Sequence, residues 1–232
     1  VLLAALSLAL GASGCSSVNK VNPFHKSSSK NKVLASKGER IPLLAYNQTL
    51  EVSDALHGQE FFLPDPAPVE SWPQPGGMPG QWVDNLQAGA NFQVAWRSSF
   101  GEKSARGKHV TAPPIGADGK IFVMDAQAGV FAFDAASGRK IWSVDLHPHS
   151  RRDKEAFGGG LAYADGKLFV TSGYRFVAAV DPNTGKQLWR TMVDTPIHGA
   201  PVVADGKVMA INIDDEMQTF AADTGTADWT YQ

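Results

Sequence analysis

At 232 residues with 43% apolar side chains, the chain is long enough to enclose a core, which excludes a disordered polymer. Twenty-one basic residues against 23 acidic ones leave a net charge of -2, so no overall field draws it to nucleic acid or to an anionic surface, and partners must be recognised locally. A lone cysteine excludes an internal disulfide, and 23 glycines with 14 prolines between short β-type runs predict an all-β chain with frequent turns.

The chain opens on VLLAALSLAL, an apolar run too short to span a membrane, followed by the small residues Gly11, Ala12, Ser13 and Gly14. Residues 1–14 read as the end of a secretory signal peptide. Neither an initiator Met nor the basic residues expected ahead of such a run are present, so the expectation is a truncated N-terminus. Ala12-Ser13-Gly14-Cys15 resembles the bacterial lipobox, in which the cysteine is lipidated and becomes the mature N-terminus; Ala12 stands where Leu is commoner. The alternative is a soluble signal peptide with a chance cysteine. Behind Cys15, residues 16–38 are rich in Ser, Lys and Asn and cannot bury enough to order themselves, which predicts a flexible tether over 15–38 beginning at the lipidated cysteine. Residues 39–90 mix the apolar runs IPLLAY and QEFFLP with the cluster LPDPAPVESWPQPGGMPG, and read as an extended lead-in lying on a domain surface.

Residues 91–232 repeat. Asp-Gly-Lys occurs at 118–120, 165–167 and 205–207, each time followed by an apolar run, IFVMDA, LFVTSG and VMAINI. Each unit then runs through a turn to a tryptophan: AFDAASGRKIW ends at Trp142, AVDPNTGKQLW at Trp189 and FAADTGTADW at Trp229, with Trp96 marking the outer strand of an earlier unit. The tryptophans are 46, 47 and 40 residues apart, with four strand-like runs per interval, the signature of propeller blades. Gly119, Gly166 and Gly206 supply the positive φ of tight hairpins, which the preceding Asp tolerates. Asp134 and Asp181 are expected to bond the backbone of the Ser/Thr-Gly turn, and the indoles of Trp142 and Trp189 to fill the gap between blades.

Ala179, Asp181, Gly185, Lys186 and Trp189 form Ala-x-Asp-x-x-x-Gly-Lys-x-x-Trp, which resembles the tryptophan-docking repeat of pyrroloquinoline-quinone-type propellers. Ala132, Asp134, Gly138 and Trp142 match it with Arg139 in place of Lys; in the last unit Gly225 and Trp229 match but Ala221 replaces the Asp, so that turn is expected to differ. With the lipobox, the tether and the run from WPQPGG at 72–77 to Trp142, residues 40–232 resemble the outer-membrane assembly factor BamB family in its alphaproteobacterial form. The resemblance implies an eight-bladed propeller of four-stranded blades, of which about three and one closing strand at Trp96 lie here, so that the C-terminus is expected to be truncated too. It also implies a non-catalytic scaffold lipoprotein of the barrel-assembly machinery on the periplasmic face of the outer membrane, without cofactor, metal or nucleic acid. The implied partners are the periplasmic repeat domains of the barrel-inserting subunit (BamA-type), nascent outer-membrane proteins and the membrane through the lipid. No partner-binding residue transfers from the family.

The rival class is a periplasmic quinoprotein dehydrogenase, which shares the propeller and needs a carboxylate, calcium ligands and commonly a cysteine pair; this chain has one cysteine. His147 and His149 could hold a metal, but Pro148, Arg151 and Arg152 suggest a solvated loop. Asp214, Asp215 and Glu216 read as a hydrated hairpin turn with a partner contact as the alternative, and His198 as an exposed inter-blade loop residue. Gly158-Gly159-Gly160 lacks the following Lys-Ser/Thr of a phosphate loop and reads as a place where a strand crowds its neighbours. Cys15→Ala is expected to move the protein from the membrane to the soluble periplasmic fraction; unchanged membrane association would end the lipoprotein reading.

Overall fold

A computed structural model describes residues 53–60, 62–80, 83, 85–148 and 156–232. Cys15 with the predicted signal segment and tether, and His149, Arg151 and Arg152, lie outside the described residues. Residues up to Glu60 form one unit, of which the described part holds a single 3₁₀ turn at Asp54–Leu56; Phe61–Gln232 form the other.

The repeat folds as three four-stranded antiparallel sheets, each in sequence order, and the described residues contain no α-helix. The first blade is β1 (Ile115–Ala117), β2 (Lys120–Met124), β3 (Gly129–Asp134) and β4 (Lys140–Asp145). The second is β5 (Gly159–Ala164), β6 (Lys167–Ser172), β7 (Phe176–Val180) and β8 (Gln187–Met192). The third is β9 (Val202–Ala204), β10 (Lys207–Ile211), β11 (Met217–Ala221) and β12 (Ala227–Tyr231).

At the Asp-Gly-Lys turns both central residues take positive φ: Asp118 and Gly119 at 50° and 68°, Asp165 and Gly166 at 48° and 69°, Asp205 and Gly206 at 50° and 70°. Two consecutive left-handed residues give the hairpin turn whose twist matches that of its strands. The next hairpin of each blade is capped by a different residue in each. Asp125 Oδ1 accepts from the backbone N–H of Gln127 and Gly129 (2.8 and 2.7 Å), Asn212 Oδ1 from Asp214 and Glu216 (3.0 and 3.1 Å), and Ser172 Oγ from Tyr174 (3.1 Å). These side chains replace backbone partners that the loop cannot offer.

The core lies between sheets. Leu168, Val170, Phe176, Ala178 and Val180 pack against Phe122, Val130 and Ala132 of the first blade. Their neighbours in sequence, Phe169, Val177 and Ala179, pack against Val208, Ala210 and Phe220 of the third. The middle blade is therefore covered on both faces and β7 is buried throughout, whereas β10 alternates with the period of two that one covered face requires.

The third hairpin carries the predicted carboxylates. Asp134 Oδ1 accepts from the Ser137 hydroxyl and N–H (2.6 and 2.8 Å), and Asp181 Oδ1 from the N–H of Asn183 and Thr184 (2.8 and 3.3 Å). The Ser137 hydroxyl bond foremost holds the Asp134 carboxyl below its ordinary 3.8, and the Asn183 N–H does the same for Asp181. The third turn does not depart as expected from the missing Asp. Ala221 N–H donates to Thr226 O at 2.9 Å and Gly225 N–H to Ala221 O at 2.8 Å, repeating the backbone bonds of Asp181 with Lys186 and Gly185; only the carboxylate cap is gone. A depressed folded value means that the stability these carboxylates add is complete above their unfolded value and lost as pH falls from there through the lower folded one. Asp181→Asn, which keeps the acceptor but removes the charge, is expected to flatten the loss of stability below about pH 4 in acid denaturation; an unchanged acid limb would show that the charge contributes nothing.

Candidate functional site

Three tryptophans, Trp96, Trp142 and Trp189, each reach into the third hairpin of the blade that follows them in sequence. Trp142 Nε1–H donates to Pro182 O at 2.9 Å, Trp189 Nε1–H to Ala222 O at 2.9 Å, and Trp96 Nε1–H to Ala135 O at 2.9 Å. Trp96 does this from chain that belongs to no strand. In each acceptor hairpin a glycine lies under the indole: a Cβ on Gly138, Gly185 or Gly225 would stand 2.4, 2.7 or 2.4 Å from the ring of Trp96, Trp142 or Trp189, closer than any real contact. The same glycines have φ of 69–75°, so shape and backbone both demand glycine. Two residues beyond the indole, the Ser98 and Thr191 hydroxyls donate to Gly138 O and Gly225 O, both at 2.5 Å. Trp142 and Trp189 are 9% exposed, while Trp229, which docks on no hairpin of the described chain, is 41% exposed.

An Asp-Gly-Lys lysine adds a second inter-blade link. Lys167 Nζ meets Asp223 Oδ1 at 2.8 Å across the second and third blades. Lys207 turns instead to Asp228 of its own blade. Tyr163 of β5 donates its hydroxyl back to Asp118 of the first blade, and burial with that bond pushes the phenol up to about 12.

The remaining candidates lie in the loops at the opposite end of the strands. Gly158–Gly160 bring β5 against the following connection: Gly159 N–H donates to His198 O at 2.9 Å, and Cβ atoms on Gly158 and Gly160 would fall 2.7 Å from His198 Cα and 2.5 Å from Ala200 Cβ. This is the crowding read from the sequence. His198 stacks on Phe157 with ring centres 4.5 Å apart, and His147 meets Tyr174 edge-on at 4.6 Å. Among the described residues no three His, Cys, Asp or Glu groups gather as a metal site. Asp214, Asp215 and Glu216 form a turn bonded within itself: Glu216 Oε2 accepts from Asn212 Nδ2 (2.9 Å) and Gln218 Nε2 (2.8 Å), and Asp214 Oδ2 from the Thr195 hydroxyl (3.2 Å).

Sequence reasoning missed the part played by the lead-in. Trp72 exchanges backbone bonds with Gly116 of β1 (2.6 and 2.9 Å), and Tyr163 N–H of β5 donates to Pro73 O at 2.7 Å, so this strap crosses the inner edges of the first two blades. Gln74 is buried, with its amide donating to Met78 O at 2.9 Å, and a Cβ added to Gly77 would stand 3.2 Å from the Trp72 ring.

Residues 83–150 and 126–232 match the family model described as outer membrane protein assembly factor BamB. No curated protein matches the chain. Among solved structures it is similar to the quinohemoprotein alcohol dehydrogenase ADHIIG of Pseudomonas putida HK5, at 29% identity over 54% of this chain and 21% of that one, with a TM-score of 0.49. It is similar to the quinohemoprotein alcohol dehydrogenase of Comamonas testosteroni at 27% identity, over 53% and 21% of the two chains, with a TM-score of 0.45. BamB of Moraxella catarrhalis is 19% identical over 49% of this chain and 33% of its own, with a TM-score of 0.40. The chain thus matches between a fifth and a third of the length of these structures.

Two left-handed glycines separate backbone from docking. Gly166 has no atom within 4 Å of an added Cβ, whereas Gly185 has the Trp142 ring at 2.7 Å. By urea denaturation Gly166→Ala is expected to cost about 1–2 kcal/mol from backbone strain alone, and Gly185→Ala about 1–3 kcal/mol more from overpacking; equal losses would contradict the docking role.

Proposed function

The chain belongs to the family described as outer membrane protein assembly factor BamB, and we propose that it is a non-catalytic scaffold lipoprotein of the machinery that assembles β-barrels into the outer membrane. The observation that carries this reading is the family match, which falls on the three blades and the approach to them. The fold suits the task physically. Stacked sheets locked by docked indoles form a stiff body, and loops at the strand ends offer surface whose shape is fixed before a partner arrives, which lowers the ordering cost of docking. The lipid on Cys15 would hold that body at the periplasmic face of the outer membrane, with residues 16–38 as its tether. The partner would be the periplasmic repeat domains of the barrel-inserting subunit, BamA, and the clients nascent outer-membrane proteins. No bond is made or broken in this role; the protein acts by holding others in place.

The quinohemoprotein dehydrogenases among the similar structures make a periplasmic quinoprotein the second reading, since both classes use the same repeat. One preparation separates the two. The full-length tagged protein, purified from detergent-solubilised envelopes, is expected to bring down the barrel-assembly subunits and to show no quinone absorption. A stoichiometric quinone chromophore with no assembly subunit would replace the scaffold reading by the enzyme.

A further inference from the structure

We draw no further inference here: the strongest candidate, the apolar face of the third blade on which Val202 and Ile211 stand exposed, carries none because nothing in the structure shows what covers it.

Discussion

The indole of one blade seated on the glycine of the next is the contact on which the rest depends. A single four-stranded sheet in water has two faces to cover and edges to protect, and cannot cover both faces by itself. Trp142 and Trp189 fix the distance and register at which the neighbour must stand, because each is held by a hydrogen bond at its rim and by a close glycine beneath its ring. With that spacing set, alternate residues of β6 and β7 fall into two separate cores, one on each side of the middle blade. The inter-blade pair of Lys167 with Asp223, whose carboxylate is 83% exposed, contributes little beside this packing.

Stiffness of this kind is what a scaffold needs and what an enzyme of the same fold needs too, which is why the blades alone do not select between them. What bears on the choice is the predicted lipid anchor at Cys15 and the family match over the blades and the approach to them. The strap is fixed to the edges of β1 and β5 by the backbone bonds of Trp72 and Pro73.

Much of the repeat was legible because its residues act through local rules. Asp-Gly at 118, 165 and 205 announces a left-handed pair, and Asp134 and Asp181 stand at the spacing from which a carboxylate caps its own turn. The partner of each indole was legible only as a gap between blades, since the glycine it meets is 42, 43 or 36 residues further on. Three features left no readable trace. Asp125, Ser172 and Asn212 cap equivalent hairpins with different side chains, and Ala128, Arg175 and Asp215 take positive φ without being glycine. Trp72 meets Gly116 through one isolated bridge, too short for any pattern of alternation to reveal. The altered third turn teaches the converse: Ala221 removes the cap but not the turn, because the backbone bonds and the left-handed Gly225 suffice.

The account stands or falls on whether Trp142 and Gly185 act as one unit. A double-mutant cycle with Trp142→Ala and Gly185→Ala, read by urea denaturation, measures that directly. The account predicts that the two losses fail to add by about 1–3 kcal/mol, since an added methyl has nothing to strike once the indole is gone. Additive losses, with no coupling between the two positions, would contradict it.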